Sequence, residues 1–294
     1  MSAEKLVKRS IEIDSSYSSA WDLLASIHST GAYNFSIGDA EQKYAEGLKA
    51  AKKALELDPY SAEAHVTLAA LQNHTWNFEE SSRNMLKALE LRPDDAIILG
   101  TAALYSYGSL DKGIDLIKSA IELDPLVYTN YYNLGFHYYR TGDLDRALEY
   151  FNKFLLYYPN SQIVHYMKGM VYLAKGEKEE ALKEMEQETQ EFFSLYGKNF
   201  VLFALGRTQE SDTAFEEYLK RYSVSDPANT ADLYAFRGDY DASFEYLNKA
   251  LDIKDPVLLE ALTYPSFKPM YSDSRWKNFI EKLGLPKDHG YSLE

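Results

Sequence analysis

Lys53-Ala54-Leu55-Glu56-Leu57-Asp58-Pro59 is a phrase that the chain repeats. It returns as Lys87-Ala88-Leu89-Glu90-Leu91-Arg92-Pro93, as Ser119-Ala120-Ile121-Glu122-Leu123-Asp124-Pro125 and, more loosely, as Lys153-Phe154-Leu155-Leu156-Tyr157-Tyr158-Pro159. The closing prolines stand 34, 32 and 34 residues apart. A fixed period of this size marks a solenoid of small supersecondary units, none of which buries its apolar face alone. Each phrase reads as the end of a helix. Proline lacks an N–H and drives its predecessor out of the α region, so the helix stops there. Ser61, Asp94, Asp95 and Ser161 follow the prolines and are placed to cap the next helix.

Working outward, the stretch Tyr131 to Pro159 gives the fullest unit. Leu134, Gly135 and Tyr138 share a face with Tyr131, Gly142 supplies a turn, and Ala147 and Phe151 lie on a second helix that ends at Pro159. Gly135 and Ala147 are small where paired helices must approach closely. Ala69, Ala103 and Gly169 hold the position of Gly135 in other units, each ten residues after a closing proline. This pattern resembles the tetratricopeptide repeat (TPR), two antiparallel helices in 34 residues, with Tyr131 at the usual Trp position. The expected fold is therefore all-α, a right-handed TPR superhelical solenoid with a C-terminal capping helix.

The remaining chain divides on the same ruler. Length alone suggests two domains of about 150 residues, but the repeats favour one array over residues 1–292. Residues 1–15 read as the remnant of a truncated repeat, because Lys5 to Ser15 looks like a second helix without its first. Repeats follow at 16–59, 60–93, 94–125, 126–159, 160–193, 194–227 and 228–256, then a cap at 257–286. About ten residues around Gly31 to Ala40 are inserted in the first full unit. Phe193 stands where a closing proline is missing, which predicts a long second helix running onward. Leu293-Glu294 resembles a tag scar. An expressed fragment of a longer protein is the expectation.

Beyond Leu202 the sequence carries a second signature. Ala204-Leu205-Gly206-Arg207-Thr208-Gln209-Glu210-Ser211-Asp212, Leu233-Tyr234-Ala235-Phe236-Arg237-Gly238-Asp239, Tyr264-Pro265-Ser266-Phe267 and Leu283-Gly284-Leu285-Pro286 belong to it. Together they resemble the C-terminal TPR tail of bacterial signalling proteins. There the tail follows a nucleotide cyclase, a protein kinase or a winged-helix DNA-binding domain, often with a TolB-like segment between. The resemblance implies a regulatory region and an attached effector domain. Ser274 departs from it, standing where the family has proline before Arg275. Read bottom-up, Pro265, Pro269 and Ser272/Asp273 interrupt helix formation, and Trp276, Phe279, Ile280 and Leu283 form an apolar stripe that suits an end cap.

Composition excludes several function classes. The 294 residues carry 31 Lys+Arg against 45 Asp+Glu, a net charge of −14, which argues against a nucleic-acid surface. Cysteine is absent, which removes disulfides and thiolate chemistry. Apolar runs are too short to cross a membrane, and cytoplasmic placement is expected, or a periplasmic one by a membrane-anchored parent. No phosphate loop, zinc-protease pair or dinucleotide fingerprint occurs, so no catalytic residue, cofactor or metal is expected. His65 and His165 share the repeat position of Tyr131 and read as packing. Glu177, Glu179, Glu180, Glu184, Glu186 and Glu188, interleaved with lysines, read as a solvated face.

A protein or peptide partner is the expected ligand, in a groove lined by first helices. Counting from Tyr131, the groove positions are Tyr132, Phe136, Tyr139 and Arg140, then Tyr166, Met170 and Leu173. Tyr107 precedes them, and Phe200 and Phe203 follow in a weaker register. Aromatics facing water suggest a hydrophobic peptide or a docked segment; the alternative is that curvature buries them against one another. A chaperone-type carboxylate clamp is not expected, since Asp22, Ser26, Val66 and Ala70 occupy its positions. The 25 tyrosines divide between these groove sites and packing sites such as Tyr131, Tyr138, Tyr172 and Tyr234.

Overall fold

The computed structural model describes residues 2–33, 37–104 and 110–285. Tyr107 and Leu293-Glu294 lie outside them, as do the side chains of Thr30 to Ala40, which include the insertion. The described residues contain helices and turns and no strand.

The chain divides into two compact units, up to Tyr105 and from Ser106 to Gly284. In the first, α1 (Ala3–Ile13) precedes α2 (Ser18–Tyr33), α3 (Ile37–Leu57), α4 (Ala62–His74), α5 (Phe78–Leu91) and α6 (Ala96–Leu104). Helix α2 pairs with α3 and α4 with α5. Val7, Leu24, Ala25, Tyr44, Ala51 and Leu71 make one core, and Ala62, Ala88 and Ile98 a second. Ala25, Ala51, Ala54 and Ala88 are fully buried, as the small-residue pattern requires.

The second unit runs α7 (Leu110–Leu123), α8 (Thr129–Thr141), α9 (Leu144–Tyr157), α10 (Val164–Ala174), α11 (Lys178–Gln187), α12 (Glu191–Ala204), α13 (Thr208–Tyr222), α14 (Pro227–Phe236) and α15 (Tyr240–Asp252). Short α16 (Leu258–Ala261), a 3₁₀ helix (Pro265–Ser272) and α17 (Ser274–Lys282) complete it. Helices pair in order, α8 with α9, α10 with α11, α12 with α13 and α14 with α15. Gly142 ends α8 at φ +84°, a left-handed turn that lets the chain reverse within three residues. Gly176, Gly206 and Gly238 repeat that turn in the next three pairs.

The signals that start and stop helices divide into those that act and those that do not. Ser61 Oγ accepts from Ala64 N at 3.1 Å, and Asp95 Oδ1 accepts from the backbone of Ile97 and Ile98. Ser161 does not cap. Its hydroxyl bonds to the carbonyl of Gln162, and α10 begins only after Ile163, which adopts φ +76°. The long helix expected through Phe193 is also absent. Helix α11 ends at Gln187, because Glu188 turns extended and its carboxylate accepts from Gln190 N and Tyr166 N. A side chain stops the helix where other units use proline.

The acidic face differs from expectation in the same place. Glu184 and Glu188 are buried, and Glu184 bridges Lys168 Nζ and His165 Nδ1, each at 2.7 Å. His65 is a packing residue tied to Asn84 Oδ1 and the Pro59 carbonyl. At the C-terminal end Trp276, Phe279, Ile280 and Leu283 are all buried, with Trp276 against Phe244, Phe267 and Tyr271.

Candidate peptide-binding face of the second unit

First helices α8, α10, α12 and α14 supply the candidate face. Phe136, Tyr139, Arg140, Tyr166, Met170 and Phe200 are buried, while Tyr132 and Leu173 are half-buried and Phe203 keeps 40% exposure. The open aromatic groove is therefore not what these residues form. Aromatic neighbours consume them. Tyr132 packs on Phe151 and Phe154, Tyr166 on Phe193 and Tyr196, and Phe200 on Tyr196 and Phe236. Arg140 sits 5.4 Å from the Phe136 ring.

Chain from beyond the repeats completes the enclosure. Phe136, Tyr139, Tyr166, Met167 and Met170 wall a small cavity together with Asp232, Tyr264 and Ser266. Tyr264 is extended at φ −72° and ψ 144°, and Pro265 opens the 3₁₀ helix. The segment Tyr264-Pro265-Ser266 thus lies against the side chains that were expected to meet a ligand. Of the expected site residues, Phe136, Tyr139, Tyr166 and Met170 meet at this cavity.

Sequence reading missed the polar half of the site. Helix α14 buries eight of its ten residues, so it is a central element and its one carboxylate, Asp232, is enclosed. Tyr196 Oη donates to Asp232 Oδ2 at 2.5 Å and lies 3.2 Å from Asn229 Oδ1. Tyr218 Oη donates to Asp226 Oδ2 at 2.5 Å, and Asn229 Nδ2 donates to the same carboxylate. Asp255 accepts from Ala228 N and Val257 N. Burial pushes Asp232 up to about 6, and burial with the charge of Asp255 pushes Asp226 up to about 7. Glu260 is raised by burial against the opposing pull of Arg140. One signal was available: Asp232 is the one charged residue of α14.

Among the described residues no group of His, Asp and Glu is arranged to hold a metal ion, and no helix is long and apolar enough to cross a membrane. With this geometry in hand, comparison with known proteins decides the repeat type. The tetratricopeptide repeat family matches residues 129–161, 164–187 and 229–255. The chain carries tetratricopeptide repeats. A TPR repeat-containing protein of Methanocaldococcus jannaschii is 26% identical over 155 residues, covering 49% of this chain and 26% of that protein. Interferon-induced protein with tetratricopeptide repeats 2 of Homo sapiens is 25% identical over 211 residues, 67% of this chain and 42% of that protein. The chain thus spans less than half the length of these relatives. Two solved TPR folds match in structure. The type IV pilus biogenesis factor PilW superposes with a TM-score of 0.56 at 17% identity, over 70% of this chain and 96% of its own. Yeast Tom70 does so at 0.53 and 16%, over 95% of this chain and 61% of its own. The fold is the TPR solenoid.

Proposed function

We propose that the second unit is a protein-interaction module whose first-helix face receives a peptide segment of a partner. One observation carries this reading: the chain's own Tyr264-Pro265-Ser266, extended at Tyr264 and 3₁₀ from Pro265, lies against Tyr139, Tyr166 and Met170. A face that accepts a proline-bearing stretch from its own chain has the chemistry to accept one from another, since proline restricts the free segment and so lessens the entropy lost on docking. Half-exposed Phe203 and Leu173 mark the accessible margin of that face. We assign no catalytic role, cofactor, nucleic-acid partner or membrane contact to this chain, and we place it in the cytoplasm. The resemblance of residues 202–286 to tails of bacterial cyclases, kinases and transcriptional regulators supports a regulatory region whose partner is an attached effector domain. A free-standing scaffold uses the same face, and the coding sequence upstream of Met1 separates the two.

Selection of peptides from a random library against the intact chain tests the face. Leu173→Ala with Phe203→Ala lowers the affinity of the selected peptides about tenfold, in line with the loss of two apolar anchors. Selected peptides that crosslink elsewhere, and that are indifferent to both substitutions, overturn the assignment.

A further inference from the structure

The cavity between α8, α10, α14 and the Tyr264 turn combines an acid with a ring of aromatics. Asp232 is 1% exposed, and its Oδ1 completes no hydrogen bond. Oδ2 is satisfied by Tyr196 and the Ser266 hydroxyl also acts on the carboxyl, yet Oδ1 is left without a completed hydrogen bond on a carboxylate that lines the cavity. Leaving a buried carboxylate oxygen without a donor is costly, and a cation or a donor at this point removes that cost. The guanidinium of Arg140 acts on Glu260 and is not among the groups that shift Asp232. The rest of the wall is Phe136, Tyr139, Tyr166, Tyr264 and Ser266 with two methionine side chains. Aromatic faces attract cations through their quadrupole, and most strongly where water is excluded.

We propose that this cavity is a receptor for a primary ammonium group, the tip of a lysine side chain on a partner segment seated beside the Tyr264 turn, with Asp232 as its counter-charge. This deepens the peptide-binding reading and rests on it. The size of the cavity sets the selectivity. Its free volume of about 20 Å³ admits one group the size of a water molecule, so an unsubstituted ammonium fits and a trimethylated one does not.

The test uses butylammonium, which reproduces the lysine tip, with the intact chain carrying ¹³C-labelled methionine methyls. At about pH 8, where Asp232 is ionised, butylammonium shifts the Met167 and Met170 signals saturably, with a dissociation constant on the order of millimolar. Butyltrimethylammonium leaves them unmoved at the same concentrations, and Asp232→Asn weakens butylammonium at least about tenfold. The absence of a saturable shift, an equal response to the trimethylated amine, or full binding by a folded Asp232→Asn chain overturns the assignment. The two amines decide it on the unsubstituted chain even where the variant fails to fold. Amine binding without any selected peptide removes the peptide-binding reading and leaves the cavity assignment. Selected peptides that keep their affinity when every lysine is replaced do the reverse.

Discussion

Gly135 shows how much the repeat depends on one missing methyl group. A Cβ built there stands 2.9 Å from the ring of Phe151 and 3.2 Å from the carbonyl of Ala147, both in fully buried residues. Ring and backbone are packed on all sides, so neither gives way cheaply. Gly135→Ala is therefore expected to cost about 1–3 kcal/mol in urea unfolding. Gly142 offers the contrast, because its φ of +84° needs glycine while no atom lies within 4 Å of the added carbon. Its replacement by Ala costs only backbone strain, about 1 kcal/mol. The two glycines are separated by a double-mutant cycle. Phe151→Leu, by making room, recovers part of the loss at Gly135 and none at Gly142. Equal behaviour of both in that cycle would falsify the close-approach account. Both roles were legible in the sequence, since the 34-residue ruler placed Gly135 opposite Ala147 and Gly142 in the turn. Asp232 was not legible in the same way. The repeat pattern assigns helix faces inside a unit, whereas the partners of Asp232 come from Tyr196 on α12 and from the non-repeating Tyr264 turn.

At the scale of elements, α3, α5, α7 and α9 stop just before Pro59, Pro93, Pro125 and Pro159, and the exceptions have separate local causes. Helix α11 stops at Gln187 because the Glu188 carboxylate takes two backbone N–H groups, a use of glutamate that no local propensity encodes. The groove residues were assigned to the correct helices, yet most are buried, because the array bends its first helices close enough for their aromatics to meet. Helix α17 illustrates an end that the sequence did specify. Asp273 caps it, with Oδ1 accepting from Arg275 N at 2.9 Å, and hydrogen bonds from Arg275 hold that carboxyl down to about 2. Arg275 also reaches Asp241 on α15 and lies 4.3 Å from the Phe244 ring. Asp273→Ala removes the cap and one ion pair but leaves Arg275 its second partner, so the expected loss is about 1 kcal/mol. Hydrogen exchange localises it. Amides of residues 274–282 exchange faster while those of α8 and α9 do not, and a uniform change along the chain would contradict the capping role.

For the whole molecule, the net charge of −14 matters less than where the few enclosed ionisable groups sit. The first unit encloses histidines and one acid, Asp22, whose carboxyl is raised by burial. Burial holds His74 down to about 4 and lowers His28 as well, against the pull of Glu46. The second unit encloses acids, with Asp226 pushed up to about 7, Asp232 to about 6, and Asp255 and Glu260 raised in the same direction. The two sets have opposite signs in linkage. A histidine whose folded value lies below 6.5 favours folding above that pH, and the benefit fades as pH falls toward 4. A carboxyl raised above 3.8 lets the folded state keep a proton that the unfolded chain releases, so its benefit is complete below 3.8 and fades as pH rises through 6 to 7. For each of His74 and Asp232 the displacement from its ordinary value corresponds to on the order of 3 kcal/mol over its full window. Acidification from about pH 7.5 to 5.5 crosses part of both windows. The expected result is divergence: after correction for intrinsic rates, amides of α4 and α5 lose protection while those of α13, α14 and α15 gain it. Replacing Asp226 and Asp232 by Asn together flattens the second response and leaves the first. Protection that moved in the same direction in both units would mean that net charge, and not these buried groups, governs the response to acid.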